Sequence, residues 1–156
     1  MTKKTKAPIK KQSGARSASR LGAVQALYQM EINADIADIV VEEFLDHRLG
    51  EIIEDDHYKE ADNVFFADLV KGVESQRAEI DDYISSALSD DWTLDRIEPV
   101  ARGILQAGTY ELMARIDVPT SVIINEYVEV AKAFFDDKKP GFINGVLDKL
   151  SKKIRD

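Results

Sequence analysis

Hydrophobic positions recur at helical spacing from about Gly14 to the end of this chain, and no segment shows the sustained alternation of a β-strand. The first apolar stripe, which we expect to be buried, consists of Leu21, Val24, Leu27, Tyr28 and Ile32. A second run follows Asp35, which fits the N-cap of a helix, and Gly50 ends it. Both patterns predict amphipathic helices.

The remaining pattern predicts further helices joined by short connections. The acidic segment 51–62 indicates a surface loop, and a third apolar run over 62–89 can bend or split near Gly72 or the polar residues 74–76. Pro99, Pro119 and Pro140 each fit the start of a later helix, where proline loses no needed hydrogen bond. The sequence therefore predicts an all-α fold, a compact bundle of about seven helices packed as antiparallel neighbours.

Three residues in the last two helices are poor choices for a helix interior. Asn125, Asn144 and Gly145 interrupt otherwise apolar patterns. We expect the two asparagines to hydrogen-bond across a packed seam and Gly145 to allow a close helix crossing. In this interpretation they build the fold and contact no ligand.

Charge is distributed unevenly along the chain. The net charge is −8, yet the first 20 residues hold seven basic residues and no acidic one, whereas the other 136 hold 14 basic and 29 acidic residues. Residues 1–13 have no hydrophobic period and contain Pro8, so we predict a disordered basic arm over 1–13 and a folded domain over 14–156. A cationic arm on an anionic body suits polyanion binding or a solubilising tail, and charge alone leaves both open.

Several kinds of chemistry lack the residues they need. Cysteine is absent, which excludes disulfides, thiol nucleophiles and thiolate zinc sites. His47 and His57 match no metal or catalytic spacing, and no glycine-rich loop offers a phosphate cradle. We therefore expect no enzyme, cofactor or metal. No apolar run approaches the roughly 18 residues of a membrane span, and no secretory signal is present, so we expect a cytoplasmic protein.

Short segments in a specific order carry a family resemblance. They are AVQALY at 23–28, LVKGV at 69–73, Trp92, Arg96, YEL at 110–112, VP at 118–119, INE at 124–126, AK at 131–132 and FINGVLDK at 142–149. Together they resemble the NusB family of bacterial transcription antitermination factors over about residues 16–150. The resemblance implies two packed helical subdomains and binding of single-stranded boxA RNA from ribosomal RNA leaders. It also implies partnership with the small-subunit ribosomal protein that acts as NusE, within the antitermination complex of RNA polymerase.

The resemblance also implies that an arginine-rich start of the first helix binds RNA. Arg16 and Arg20 fall on matching positions, whereas Ser17 and Ala18 stand where some members have further arginines. We expect Lys10 and Lys11 to compensate for these two positions. Gln106 likewise replaces an arginine that is common in the central helix.

Aromatic residues near basic ones are further candidates, because single-stranded RNA stacks on aromatic rings. Phe134 and Phe142 lie near Lys132 and Lys139 in sequence, and we predict RNA binding by Lys132 and Phe142. Tyr28 is predicted to contact the protein partner. Each aromatic residue could instead belong to the hydrophobic core.

Two other functions compete with an RNA-binding adaptor. The chain could be a helical protein-interaction scaffold whose basic arm is idle. It could also be a stand-alone relative of the helical accessory domain that some ribosomal RNA cytosine methyltransferases carry at their N-terminus. No methyltransferase segment follows residue 156 in this sequence, so we expect the adaptor function.

Overall fold

The computed structural model describes residues 7–48 and 59–155, and the side chains of 14–46 and 63–155. The α-helices in these ranges are α1 (Ala7–Asn33), α2 (Ala37–Glu43), α3 (Lys59–Ser75), α4 (Arg77–Ala87), α5 (Pro99–Ala114), α6 (Thr120–Phe134) and α7 (Lys139–Arg155). A π-helical turn (Phe44–Arg48) continues α2, and a 3₁₀ turn (Leu94–Arg96) precedes α5. The all-α prediction is confirmed. Among the described helices, none combines the length and apolar character that crossing a membrane would need.

The chain divides into two compact units, Met1–Val70 and Lys71–Asp156. This boundary falls inside α3, far from the boundary between arm and domain expected after residue 13. Helix α1 begins at Ala7, before the change of pattern at Gly14. Residues 1–6 lie outside the described residues, and disorder of the arm stays a prediction.

Unit 1 packs α1 against α2, and α1 buries alanines as well as part of its predicted apolar stripe. The buried α1 residues in the described range include Ala23, Val24, Ala26, Leu27 and Met30. Tyr28 and Ile32 are 41% and 57% exposed, so their predicted burial is wrong. The prediction for Asp35 is also wrong, because Ile36 takes the N-cap position of α2 without a side-chain cap.

The aromatic part of the unit 1 core joins the π-helical turn to α3. The rings of Phe44 and Phe66 stack with centroids 5.5 Å apart, and both side chains are fully buried. Phe65, the residue before Phe66, is 3% exposed. Packing therefore fixes two successive residues of α3, Phe65 and Phe66.

In unit 2, α5 contacts α4, α6 and α7, and α6 packs against α7. Every α5 residue from Gly103 to Leu112 is buried. At Gly108, a Cβ would lie 3.1 Å from Leu147 Cδ2, so α5 and α7 approach each other closely at this position. Gly145 shows no such approach, since a Cβ there would meet nothing within 4 Å. Gly145, Asn125 and Asn144 are exposed, so the predicted packed seam is wrong.

The third apolar run is split, as the sequence indicated, with Gln76 between α3 and α4. Gly72 serves close packing, because a Cβ at this residue would overlap the ring of Tyr110. Pro99 opens α5, and Glu98 caps it by accepting a hydrogen bond from the Val100 N–H at 3.1 Å. The position of Pro99 at the start of α5 agrees with the prediction.

Basic residues of α7 satisfy carbonyl groups at the ends of two other helices. Lys153 Nζ donates to Ser86 O at 3.3 Å, at the end of α4. The guanidinium of Arg155 donates to four carbonyl oxygens and one hydroxyl, in Glu111, Leu112, Arg115, Val118 and Thr120. Carbonyls in the last turn of a helix lack intrahelical partners, so Arg155 supplies donors to the end of α5 and to the connection that follows.

Candidate nucleic-acid interface

Two arginines in the N-terminal half of α1 have different environments. Arg16 is exposed, whereas Arg20 is only 3% exposed. Both guanidinium carbons lie over the Phe65 ring, at 4.8 Å for Arg16 and 5.1 Å for Arg20 from the ring centroid. Both side chains therefore contact the same ring, and Arg16 is the arginine of this pair that solvent reaches. Lys10 and Lys11 lie in α1, and their side chains are outside the described residues.

Unit 2 has an open groove of about 570 Å³ at the start of α5 and α7. Its lining combines aromatic rings with cations and carboxylates, from Trp92, Arg96, Ile97, Glu98, Ala101, Asp137, Lys138, Lys139 and Phe142. Trp92 is 49% exposed and Phe142 37% exposed. Their ring centroids are 6.3 Å apart at an interplanar angle of 43°. We call this feature the aromatic groove.

Cations lie beside the rings of the aromatic groove. The Arg96 guanidinium lies 5.9 Å from the Trp92 ring centroid and donates to Asp91 O at 2.9 Å. Lys139 also lines the groove, and its Nζ lies 5.0 Å from the ring centroid of Phe135, which is not among the lining residues. The Arg96 contact holds a positive group next to the exposed ring of Trp92, and such a pair can contact the backbone and a base of single-stranded nucleic acid together.

One ion pair shapes the electrostatics of the aromatic groove. Asp137 accepts the Lys139 backbone N–H and Lys139 Nζ, both at 2.9 Å. These hydrogen bonds lower the pKa of Asp137 below its ordinary value, and the same contact raises the pKa of Lys139. Both groups therefore stay charged near neutral pH, and Asp137 partly neutralises the lysine.

Two further predicted site residues, Lys132 and Tyr28, are exposed, and neither is among the residues that line the aromatic groove. Lys132 pairs with Glu129 at 3.2 Å on the surface of α6. Tyr28, on α1 of unit 1, is 41% exposed. Exposed apolar residues continue from it to α2, namely Ile32, Ile36 and Ile39. The structure thus brings Phe142 together with Trp92, and it leaves Lys132 outside this cluster.

Known proteins are similar to this chain over most of its length. The model of the NusB family matches residues 17–152. This chain belongs to the NusB family. The transcription antitermination protein NusB of Sphingopyxis alaskensis is 50% identical over 147 residues, which cover 94% of this chain and 99% of that protein. Its counterpart from Caulobacter vibrioides is 50% identical over 141 residues, which cover 90% of this chain and 95% of that protein.

Solved structures share the fold. T. maritima NusB is 31% identical with a TM-score of 0.70, covering 88% of this chain and 91% of that one. A chain from the crystal structure of antitermination factors NusB and NusE in complex with dsRNA is 24% identical. Its TM-score is 0.72, with 89% of this chain and 97% of that chain covered. At that identity the second likeness shows the fold alone, and both confirm the NusB fold.

The sequence analysis assigned no site role to two residues that line the aromatic groove. Trp92 and Arg96 were named only as part of the family resemblance, yet both belong to the groove lining. Gln106, where an arginine is common, is buried and donates to Asp81 Oδ1 at 3.0 Å. A neutral donor therefore ties α5 to α4 at this position.

Proposed function

We propose that this member of the NusB family is an RNA-binding adaptor of transcription antitermination. It binds boxA RNA from ribosomal RNA leaders together with the ribosomal protein that acts as NusE, within the RNA polymerase antitermination complex. The observation that carries the proposal is the exposed Arg16 in the N-terminal half of α1, within the first 20 residues of the chain, which hold no acidic group. The adaptor works in the cytoplasm on nascent RNA and is not an enzyme.

The phosphate backbone of RNA supplies the reason for this placement of charge. Each phosphate that a cation neutralises releases condensed counterions, which favours binding at low salt. The rest of the chain has an excess of acidic residues, which repel RNA. The start of α1, with Arg16 and the neighbouring Lys10 and Lys11, is therefore the surface of unit 1 that can attract a polyanion.

The aromatic groove supplies a second kind of contact. Trp92 and Phe142 expose ring faces on which unpaired bases can stack, Arg96 lies next to the Trp92 ring, and Lys139 also lines the groove. Stacking of one base on an aromatic side chain contributes about 1–3 kcal/mol. We assign base stacking to Trp92 and Phe142 and backbone contacts to Arg96 and Lys139, with Lys132 as an outer electrostatic contact.

The protein partner fits the exposed apolar residues of unit 1. Tyr28 and Ile32 are exposed on α1. Acidic side chains are also exposed on unit 1, such as Glu31 on α1 and Glu42 on α2. An apolar patch with acidic neighbours suits a basic protein, and ribosomal proteins are basic because they bind RNA. We place the NusE contact at Tyr28.

The proposal is tested by fluorescence anisotropy with a labelled boxA oligonucleotide and a scrambled one, each with and without the NusE partner. We expect tighter binding of boxA than of the scrambled RNA when the partner is present. Equal binding of both RNAs in every condition would contradict the adaptor function and favour a scaffold with an idle arm.

A second set of variants tests the aromatic groove. Trp92→Ala should weaken boxA binding by about 5–100-fold, which corresponds to the loss of one stacked base. Ile116→Ala is the matched control, because Ile116 is 81% exposed and lies outside the groove lining. Equal affinities of the two variants would remove the groove from the proposed RNA site.

A further inference from the structure

We propose that Phe65 is a positioning residue that holds the Arg16 guanidinium ready for an RNA phosphate. The inference rests on the proposed RNA-binding function and adds a residue to which neither the sequence pattern nor the family resemblance gave a role. Phe65 is 3% exposed and does not itself need to contact RNA. Its contribution would pass entirely through the arginine above its ring.

The geometry within unit 1 supports this assignment. Arg16 and Arg20 are four residues apart on α1, so their side chains lie on one face of the helix. Their guanidinium carbons are 4.8 and 5.1 Å from the centroid of the Phe65 ring. One aromatic ring of α3 thus contacts both arginines, one exposed and one buried.

Burial makes the ring a fixed support. Phe65 and Arg20 are each 3% exposed, so packing restricts the ring and the inner guanidinium. Arg16 is exposed and would otherwise sample many rotamers in solvent. Contact with a fixed π face restricts this freedom before RNA arrives, because the negative face of the ring attracts a cation.

A guanidinium that lies over a ring keeps its binding capacity for phosphate. Its N–H donors lie in the guanidinium plane and point outward from the edges, where a phosphate can accept a bidentate pair. Ordering the side chain in advance lowers the entropic cost of binding.

The test compares Phe65→Leu with Phe66→Leu, two identical substitutions at adjacent buried positions of α3. Phe66 stacks on Phe44 and provides the matched control for lost packing. We expect Phe65→Leu to weaken boxA binding about 3–10-fold, the range for one newly ordered side chain. Phe66→Leu should change boxA binding less than about twofold, and Phe65→Tyr, which keeps the ring face, should restore the affinity. Circular dichroism checks that each variant is folded.

A double-mutant cycle separates positioning from packing. Because Phe65 acts through Arg16, the Arg16→Ala variant should lose little further affinity when Phe65→Leu is added. The inference would be overturned if the affinity losses of Arg16→Ala and Phe65→Leu multiplied in the double variant, or if Phe65→Leu and Phe66→Leu bound boxA equally well. Either result would leave the proposed function intact. Unchanged binding by Arg16→Ala alone would overturn both, because the RNA contact itself would be absent.

A measurement without RNA keeps the inference testable if Phe65→Leu folds poorly. In the unsubstituted protein, the Arg16 Nε–H proton should show an upfield ring-current shift in NMR spectra. Phe65→Tyr should preserve this shift. An Arg16 Nε–H signal at the position of a free arginine would mean that the side chain is not ordered on the ring, and the inference would fall.

Discussion

Replacement of Arg155 by alanine should destabilise the protein more than replacement of an exposed residue of the same helix, although Arg155 lies near the end of the chain. The guanidinium donates to Arg115 O and Val118 O at 2.7 Å, and to Leu112 O at 3.0 Å. Its contacts to Thr120 Oγ1 and Glu111 O are longer, at 3.2 and 3.3 Å. One side chain therefore joins the end of α5 to the segment that leads into α6.

The magnitude follows from the short contacts. A hydrogen bond from a charged donor contributes about 1.5–3 kcal/mol, and bonds that share one donor group do not add fully. Arg155 is half-buried, so water can reach some of the freed carbonyls in the variant. We expect a loss of about 2–3 kcal/mol for Arg155→Ala, which lowers the melting temperature by about 4–12 °C for a chain of this size.

Urea unfolding and thermal melting followed by circular dichroism measure this loss. Lys152→Ala is the matched control, since Lys152 is exposed and makes an ion pair with Asp148 at 3.5 Å on its own helix. That pair should contribute no more than about 0.5 kcal/mol. Arg155→Lys should recover less than half of the loss, because an ammonium group cannot reproduce the planar fork. Equal stabilities of the Arg155→Ala and Lys152→Ala variants would refute the role of Arg155.

Three further changes probe unit 2 by thermal melting. Tyr127→Phe removes the 2.6 Å hydrogen bond to the buried Glu111 carboxylate and should cost about 1.5–3 kcal/mol; no loss would mean that this bond is not formed. Gly72→Ala should cost about 1–3 kcal/mol because its Cβ would displace the Tyr110 ring, and unchanged stability would contradict this contact. The folded state lowers the pKa of Asp137, so its carboxylate stabilises the protein above the unfolded-state pKa, and this contribution disappears as pH falls through the folded-state pKa. Asp137→Ala should therefore lower the melting temperature at pH 7 and lower it progressively less as pH falls into the acid range, and a decrease that does not change with pH would contradict the assignment.

Helical periodicity predicted the fold class, the split of the third run and the burial of Val24 and Leu27, but it misjudged how far the buried side of α1 extends. Apolar spacing favoured Tyr28 and Ile32, whereas the structure buries Ala23 and Ala26 and leaves those two exposed. Small alanines allow close approach of a neighbouring helix, and a hydrophobicity pattern gives them little weight. Tyr28 is consequently available for a partner.

Arg20 illustrates a signal that was present in the sequence. It precedes Val24 and Leu27 by four and seven residues, which places it on the buried stripe of α1. A buried arginine on an apolar stripe needs a supporting contact, and Phe65 provides one from α3. Sequence spacing cannot identify that ring, because the contact joins residues 45 positions apart.

The aromatic groove depended on the fold in the same way. Trp92 comes from the connection before α5, whereas Phe142 lies in α7, 50 residues later. Lys132 and Phe142 are closer in sequence, yet Lys132 lies outside the groove lining. Local spacing therefore identified the residue types of the candidate site but not their grouping.

The salt dependence of boxA binding tests most directly whether cations at the start of α1 bind the RNA backbone. Affinities are measured from about 50 to 200 mM KCl, a range over which phosphate contacts lose measurable affinity. Log Kd should rise linearly with log salt, and Arg16→Ala should reduce the slope by about 0.7, the value for one contact to single-stranded nucleic acid. Lys152→Ala should leave the slope unchanged. A slope that is the same with and without Arg16 would contradict the assignment of phosphate binding to this arginine.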